Sequence, residues 1–269
     1  MGLSPRKALG QHFLVDRRVL GRIVDAADLL QDDLVLEVGP GRGFLTKELA
    51  ERVGRLVALE IDEALAAGLR ERFDGRDGVT VLVGDARRVD IDTLAPQGAV
   101  YKLVANLPYF AASPIIRRFL EAEHSPALMV VMVQREVARE MVAAPGKMGM
   151  LSVATQVYGN PRIVAYAPPR AFRPAPKVTS AVVRIEVYER PAVSFDTAEA
   201  FFRVVRAGFS APRKQLRNSL RHGLGLPQEA ADAMLARAGI EPTRRAQTLT
   251  LPEWGALYET HRDSGEPGG

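Results

Sequence analysis

The sequence of 269 residues contains no cysteine. Disulfide bonds, thiolate metal sites and cysteine nucleophiles are therefore excluded, and we expect no metal site. No apolar run approaches the roughly 18 residues of a membrane span, and no apolar segment of signal-peptide length precedes Gln11 and His12. We therefore expect a cytoplasmic protein with no membrane partner.

Phosphate-binding loops are also missing. No segment fits G-x-x-x-x-G-K-S/T, and no lysine directly follows the glycines of the segment Gly39-Pro40-Gly41-Arg42-Gly43. This segment also departs from the dinucleotide pattern G-x-G-x-x-G, because Phe44 stands where the third glycine would fall. Glycines between a strand and a helix serve either as a plain turn or as a place where a ligand approaches the helix N-terminus. A pyrophosphate ligand is therefore disfavoured here.

Positive charge is concentrated in one stretch, although the formal net charge is only +4. Between positions 201 and 222 the chain has lysine and arginine residues but no acidic residue. They are Arg203, Arg206, Arg213, Lys214, Arg217 and Arg221. Such a cluster gains free energy by displacing counterions from phosphates, which indicates a polyanionic partner. The alternative is a solvated helix face.

Apolar runs typical of buried strands alternate with helical patterns over the first half of the chain. The predicted strands are 34–38, 55–60, 79–83, 99–105 and 127–133. Helical periodicity surrounds them, beginning with a helix from Asp16 to Leu30 for which Asp16 is the predicted N-cap. Strands joined by helices form right-handed βαβ units. We therefore predict an α/β domain whose mostly parallel sheet is covered by helices on both faces.

The pattern then changes. Two strands, 162–166 and 177–187, are separated by a proline-rich segment that cannot form a crossover helix. We therefore predict that they pair antiparallel and end the sheet in a hairpin. From about Arg190 only helical patterns remain, over 197–208, 212–222, 228–238 and 252–261. The predicted domains are thus 1–189 and a small helical domain at 190–269.

Two carboxylates close successive predicted strands. Glu60 ends the second strand, and Asp85 follows the third. Because the carboxyl ends of neighbouring parallel strands face one crevice, the first carboxylate can accept from both ribose hydroxyls and the second from an adenine amine. Either residue alone would fit a helix cap or a solvated side chain. Together, and without a phosphate-binding loop, they favour a nucleoside ligand such as S-adenosyl-L-methionine.

The segment Asn106-Leu107-Pro108-Tyr109 follows the fourth predicted strand. Pro108 fixes its own φ and holds Leu107 extended, so the segment is stiff. It offers an amide oxygen, backbone carbonyls and an aromatic ring, which together can hold an exocyclic amine and stack on a planar base. The alternative is a turn in which the proline and the tyrosine only pack.

Five segments carry a resemblance to a known family. They are 11–14 (Gln-His-Phe-Leu), 37–43 (Glu-Val-Gly-Pro-Gly-Arg-Gly), 106–109, 172–184 and 213–220. Over nearly its whole length the chain resembles the ribosomal RNA adenine N6,N6-dimethyltransferases, and segment 213–220 makes it most similar to the group that acts on small-subunit (16S) RNA. The resemblance implies a Rossmann-like S-adenosylmethionine-dependent methyltransferase fold. Its seven-stranded, mostly parallel sheet would end in an antiparallel hairpin, and a small C-terminal all-helical domain would bind RNA.

The positions that match the family's functional residues, together with the strand-end acids and the basic stretch described above, give three predicted sets. The cofactor-binding set is His12, Leu14, Gly39, Gly41, Glu60, Ile61, Asp85, Ala86 and Asn106. The catalytic set is Asn106, Leu107, Pro108, Tyr109 and Phe172. The RNA-binding set is Arg213, Lys214, Arg217 and Arg221. Two positions depart from the family pattern, because His12 is Asn in some members and Phe110 replaces an Asn that is frequent there.

The resemblance implies methyl transfer to N6 of two adjacent adenosines in the 3′-terminal hairpin of small-subunit RNA, each methylated twice. Asn106 and the carbonyl of Leu107 or Pro108 would accept hydrogen bonds from the amine. Tyr109 and Phe172 would cover the two faces of the flipped base, although Phe172 also fits a core residue. The expected partner is the small ribosomal subunit, the expected role is in its biogenesis, and the expected enzyme is a monomer.

Three other functions remain open from the sequence alone. The first is a large-subunit (23S) RNA adenine N6-methyltransferase of the kind that confers macrolide resistance. The second is a non-catalytic ribosome assembly factor that keeps a vestigial pocket. The third is an NAD-dependent oxidoreductase, which the glycine pattern and the predicted hairpin disfavour.

Overall fold

The computed structural model describes residues 12–264, so Gln11 of the first motif and the glycine-rich residues 265–269 lie outside the described residues. The strands are β1 (Phe13–Leu14), β2 (Leu34–Val38), β3 (Arg55–Glu60), β4 (Val79–Val83), β5 (Tyr101–Asn106), β6 (Leu128–Gln134), β7 (Gly159–Ala167), β8 (Phe172–Arg173) and β9 (Ser180–Val187). The helices are α1 (Arg17–Ala26), α2 (Phe44–Ala50), α3 (Glu63–Arg72), α4 (Ala112–Leu120), α5 (Arg135–Met141), α6 (Met150–Gln156), α7 (Ala198–Phe209), α8 (Leu216–Leu224), α9 (Gln228–Arg237) and α10 (Leu251–Asp263).

The main sheet has seven strands in the order β4-β3-β2-β5-β6-β9-β7. Strands β2 to β6 pair parallel, because a helix or a longer connection separates each from the next. Strand β9 pairs antiparallel with β6, and β7 lies beside β9 at the edge. The predicted α/β fold, with its terminal antiparallel hairpin, is confirmed. The chain order reverses between β2 and β5, and that position is where open α/β sheets bind ligands.

A second, two-stranded sheet was not predicted. Strands β1 and β8 pair antiparallel, with Phe13 opposite Arg173 and Leu14 opposite Phe172. The N–H of Val15 extends this contact by donating to the carbonyl of Ala171 at 2.9 Å. Strands of two residues have no detectable periodicity, so the sequence alone does not reveal them. This pairing holds the segment around His12 beside the proline-rich loop.

The first helix confirms its predicted N-cap but is shorter than predicted. The side chain of Asp16 accepts hydrogen bonds from the N–H groups of Arg18 and Val19. The helix was predicted to reach Leu30 but ends at Ala26, because Asp28 has a positive φ of 44° that no helix continues through.

The chain divides into two compact units. The first comprises the residues up to Arg139 together with Asn160–Glu189, and the second comprises Glu140–Gly159 together with the residues from Arg190 onward. The predicted single boundary after residue 189 assigned 140–159 to the first domain, and this assignment differs from the structure. The reason is that α6 packs on α7, and the N–H of Ala192 donates to the carbonyl of Val157 at 2.8 Å.

Aromatic residues form the core of the second unit. Phe201 lies at the centre, with ring centroids 5.1 Å from Phe202 and 6.0 Å from Tyr258, and the Trp254 ring stacks on Phe209 at 5.4 Å.

Within the described residues, no helix of either unit is long and apolar enough to cross a membrane.

The packing of α7 against α10 gives a stability prediction. A Cβ at Gly208 would lie 2.4 Å from Cη2 of the fully buried Trp254. Gly208→Ala should therefore lower the free energy of unfolding by about 1–3 kcal/mol, since overpacking outweighs a helix-propensity gain of about 1 kcal/mol. Urea unfolding measures the change.

The matched control is Gly68→Ala in α3, where no atom lies within 4 Å of the added methyl group. That variant should be more stable by roughly 0.5–1 kcal/mol, because it gains helix propensity without a clash. Stabilisation of both variants would contradict the described contact between α7 and Trp254.

Candidate active site

One cavity in the first unit collects every residue of the predicted cofactor-binding and catalytic sets. It lies at the carboxyl ends of β2, β3, β4 and β5, where the chain order of the sheet reverses. The predicted residues that line it are His12, Leu14, Gly39, Gly41, Glu60, Ile61, Asp85, Ala86, Asn106, Leu107, Pro108, Tyr109 and Phe172. Parallel strand pairing therefore brings together side chains that are far apart in the sequence.

Glu60 is a buried acid of the cavity that is held by two backbone N–H groups. The residue is only 4% exposed, and its Oε2 accepts from the N–H of Gly41 at 2.9 Å while its Oε1 accepts from the N–H of Asp62 at 3.0 Å. Burial raises the pKa of Glu60, and these two backbone hydrogen bonds oppose the rise. Each carboxylate oxygen keeps a further lone pair. The geometry therefore suits a pair of vicinal hydroxyl donors.

The glycine segment passes so close to its neighbours that a side chain would not fit. Gly41 has a φ of +58°, and a Cβ there would lie 2.9 Å from Cε1 of Phe13. Any other residue at this position would therefore combine a strained backbone with a clash. The missing side chain lets the backbone line the cavity directly and keeps the Gly41 N–H pointed at Glu60.

Asp85 was predicted to accept from an adenine amine, and the structure adds a partner that was not foreseen. Its carboxylate is paired with Arg87, whose Nη2 lies 2.7 Å from Oδ2 and whose Nε lies 2.9 Å from Oδ1. This side-chain hydrogen bonding is the largest effect that lowers the pKa of Asp85. The carboxylate is thus held ionised, and its remaining lone pairs are the ones open to an amine.

The Asn106 side chain is oriented by the N-terminal segment. Its Nδ2 donates to the carbonyl of His12 at 3.3 Å, which leaves Oδ1 available as an acceptor toward the cavity. The sequence left the carbonyls of Leu107 and Pro108 as alternative second acceptors, and the structure distinguishes them by the hydrogen bonds that each already accepts. The carbonyl of Pro108 accepts from the N–H of Ala111 at 3.0 Å, whereas no donor to the carbonyl of Leu107 is found among residues 12–264. Leu107 is therefore the better second acceptor.

Tyr109 is fixed at both ends. Its hydroxyl lies 2.7 Å from Oγ of Ser180, and its ring stacks on that of His12 with centroids 5.7 Å apart. Burial raises the pKa of the Tyr109 hydroxyl, so the ring is neutral. Nδ1 of His12 lies 2.8 Å from the carbonyl of Pro174, and since a carbonyl only accepts, Nδ1 must carry the proton.

Phe172 does not have the exposure that its predicted stacking role requires. The residue is fully buried within the hydrophobic core of the first unit, although its ring forms part of the cavity wall. Its strand pairing with Leu14, which also lines the cavity, holds it there. In this structure the ring supports the cavity and offers no free face to a base, which agrees with the alternative of a core residue.

Glu37 also lines the cavity, and sequence reasoning assigned it no role. It is 1% exposed, and its Oε2 has no hydrogen-bond partner among the described residues. Burial raises the pKa of Glu37 to about 8, the hydroxyl of the neighbouring Thr46 opposes the rise, and the nearby Glu60 carboxylate adds a smaller increase. A signal existed, because Glu37 is an acid inside the otherwise apolar strand β2. A buried acceptor without a partner indicates a place for a ligand donor.

The predicted RNA-binding set lies in the second unit, partly outside the predicted helix. Helix α8 begins at Leu216 rather than 212, so Arg213 and Lys214 are exposed in the preceding turn. Arg217 and Arg221 follow one turn apart on α8, which places them on one face. Asp232 lies 3.8 Å from Arg217 and was not anticipated, because it comes from the next helix.

The residues present fit S-adenosyl-L-methionine. Glu60 suits ribose hydroxyls, the ionised Asp85 suits an adenine amine, and the unpartnered Oε2 of Glu37 suits a donor from the amino-acid part. The glycine segment between β2 and α2 leaves room for close backbone approach. The segment 106–109 at the end of strand β5, which we call the Asn106 corner, lines the same cavity and offers acceptors for a second amine.

Comparisons with known proteins agree with this site. A family model described as ribosomal RNA adenine dimethylase matches residues 2–262. A curated protein of Dehalococcoides mccartyi, named "Ribosomal RNA small subunit methyltransferase A", is 46% identical over 255 residues, which cover 95% of this chain and 88% of that protein.

Solved structures share this fold. The "23S rRNA methyltransferase ErmE" is 30% identical with a TM-score of 0.71, over 92% of this chain and 98% of that chain. A dimethyladenosine transferase from Plasmodium falciparum is similar in fold, with a TM-score of 0.81 and 24% identity, over 94% of this chain and 98% of that chain. The chain belongs to the ribosomal RNA adenine dimethylase family.

Proposed function

We propose that this protein dimethylates N6 of two adjacent adenosines in the 3′-terminal hairpin of small-subunit ribosomal RNA, using S-adenosyl-L-methionine. The observation that carries the proposal is that Glu60, Asp85 and the Asn106 corner line a single cavity. The name of the relative at 46% identity supports the choice of small-subunit RNA. A role in small-subunit biogenesis follows from that substrate.

On the cofactor side, bound S-adenosyl-L-methionine would supply the electrophilic methyl group. Glu60 would accept from the ribose hydroxyls, with Gly41 and Asp62 holding the carboxylate in place. Asp85 would accept from the adenine amine, and its pairing with Arg87 keeps it ionised for that task. The remaining predicted contacts, His12, Leu14, Gly39, Ile61 and Ala86, form the walls around these acids.

On the target side, the chain orients a weak nucleophile. Oδ1 of Asn106 and the carbonyl of Leu107 would accept from the two N–H bonds of the adenine amine, and Pro108 keeps these acceptors rigid. Orientation of this kind can lower a barrier by up to about 7–11 kcal/mol in ideal cases. Tyr109 would stack on the flipped base with the ring face that is turned away from His12.

A general base is not required. The amine nitrogen becomes acidic only once it has gained a methyl group, and it then releases its proton without help from a strong base. The side chains therefore serve to bind and align, and the burial of Leu107 helps to exclude water from the corner.

The helical unit would bind the phosphates of the RNA. Arg213, Lys214, Arg217 and Arg221 are grouped on one turn and one helix, which suits a backbone-tracking contact. We place the protein in the cytoplasm as a monomer that acts on the small ribosomal subunit.

A second candidate is methylation of large-subunit RNA. The observation in its favour is the 30% identity to a 23S ribosomal RNA methyltransferase over 92% of this chain. The cavity does not discriminate between the two substrates, because both reactions place the same adenine amine beside the same cofactor.

The deciding experiment uses unmodified small and large ribosomal subunits, each incubated with the protein and isotopically labelled S-adenosyl-L-methionine. We expect label on two adjacent adenosines of the small-subunit RNA, identified by mapping the modified bases. Label on the large subunit alone would establish the second candidate, and no label on either subunit would leave only a non-catalytic role.

The corner geometry predicts the effect of Asn106→Ala. Turnover should fall by at least about 100-fold, on the order expected when one oriented acceptor of the reacting group is removed. RNA affinity should remain nearly unchanged, since the main cations lie elsewhere in the chain. Single-turnover methyl transfer and filter binding measure the two effects.

Asn160→Ala is the matched control for that experiment, because Asn160 is an exposed residue on the edge strand β7 and does not line the cavity. This variant should keep normal turnover. Near-normal turnover of Asn106→Ala would remove Asn106 from the proposed mechanism.

The basic set predicts a change in salt dependence. Replacing Arg213, Lys214, Arg217 and Arg221 by glutamine should weaken RNA binding. It should also reduce the slope of log K against log salt by about 0.7–0.9 for each phosphate that the variant no longer neutralises. Replacing the three arginines by lysine keeps the charge and should preserve the slope. An unchanged slope in the glutamine variant would identify this surface as a solvated helix face.

A further inference from the structure

Phe110 is an exposed aromatic residue at the mouth of the cavity. It is 58% exposed and lines the cavity next to Tyr109. Most exposed apolar side chains on a protein surface need no explanation. An exposed ring at the entrance of a binding site is different from other exposed apolar side chains, because a ligand that enters can cover the ring and remove it from water.

The backbone around Phe110 is rigid. The N–H of Ala111 donates to the carbonyl of Pro108 at 3.0 Å and closes a tight turn with Tyr109 and Phe110 at its two central positions. Helix α4 begins directly after this turn. The hydroxyl of Tyr109 is tied to Ser180. An aromatic ring is therefore held in water on a backbone with little freedom, which lowers the entropic cost of binding to it.

Phe110 lies next to the part of the cavity that would hold the target adenine of the RNA. It follows the corner that would hold the target amine, whereas the acids assigned to the cofactor lie at the ends of β3 and β4. The Tyr109 ring stacks on His12 and its hydroxyl is tied to Ser180, whereas Phe110 is exposed, so the two neighbouring rings are separate platforms. Two consecutive bases of an unstacked strand need platforms of that kind, because each base has its own plane once the stack is opened.

We infer that the Phe110 ring stacks on the base next to the target adenine and so positions the RNA strand at the mouth of the cavity. This inference rests on the proposed function and extends it to a base for which the predicted sets name no stacking partner. Base–aromatic stacking tolerates any base, so the contact would fix the strand without reading its sequence. A ring in a fixed position would hold the neighbour on one side of the target, and that neighbour is the second adenosine for only one of the two targets.

The test uses two synthetic RNA hairpins, both derived from a hairpin with two adjacent adenosines. In each, 5-iodouridine replaces one nucleotide next to the target adenosine. The 5′ neighbour is replaced in one RNA, and the 3′ neighbour is replaced in the other. Ultraviolet irradiation cross-links 5-iodouridine to an aromatic ring that stacks on it. We expect one of the two RNAs to cross-link to the peptide that contains Phe110, as identified by mass spectrometry. Phe110→Leu should abolish this cross-link, and Phe110→Trp should restore it.

Kinetics of the unsubstituted hairpin give the second measurement. In Phe110→Leu, kcat/KM for RNA should fall on the order of 5- to 150-fold, which is what about 1–3 kcal/mol of stacking corresponds to, mainly through KM. Affinity for S-adenosyl-L-methionine, measured by calorimetry, should not change. Tyr166→Leu is the matched control, because Tyr166 is 52% exposed on β7 but does not line the cavity, and its kinetics should be normal.

Each other outcome overturns the inference. Normal kcat/KM in Phe110→Leu would show that the ring does not position RNA, while the proposed function would stand. Loss of cofactor affinity in that variant would make Phe110 a wall of the cofactor site instead. If the unsubstituted protein transfers no methyl group to small-subunit RNA, the proposed function fails first and the inference falls with it.

Discussion

The buried carboxylate of Glu60 is the interaction on which the rest of the site depends. It ends β3 and accepts from the Gly41 N–H of the glycine segment after β2 and from the Asp62 N–H at the start of α3. A buried carboxylate deprived of these donors would cost several kcal/mol, so both backbone segments are held where their N–H groups meet it. The floor of the cavity is therefore formed before any ligand arrives. A ligand that binds there loses less free energy to ordering the protein.

The parts of the fold that follow from local patterns could be predicted from the sequence, and the long-range contacts could not. Alternating apolar runs and helices determine the parallel sheet, so Glu60 and Asp85 were expected at neighbouring strand ends. The pairing of β1 with β8 has no such pattern, because it involves two residues on each side. That pairing nevertheless holds the segment that includes the His12 carbonyl, from which the Asn106 amide takes its orientation. The position of Asn106 was thus predictable, but the direction of its acceptor was not.

Side-chain burial and ionisation also depend on packing that a linear sequence does not show. Phe172 is fully buried, although the resemblance implied that its ring would cover one face of the flipped base. Glu37 has a pKa raised to about 8 from an ordinary value of 4.5, because burial disfavours its charged form. The folded protein therefore holds this proton over a pH range in which the unfolded chain releases it. Glu37 thus lowers stability progressively as pH rises from about 4.5 to about 8, and a ligand donor at Oε2 would offset that cost.

The cavity alone cannot decide which ribosomal RNA is modified. A protein described as a 23S ribosomal RNA methyltransferase shares the fold with this chain at 30% identity, and an adenine amine is the same group in either RNA. Discrimination must therefore come from residues that contact the RNA away from the reacting base. Phosphate contacts position a strand but carry little sequence information, so the basic residues of the helical unit, if they bind RNA as proposed, would act through the shape of the RNA. Under the proposed function, selection of the substrate would then depend on which folded RNA can present its phosphates to those cations.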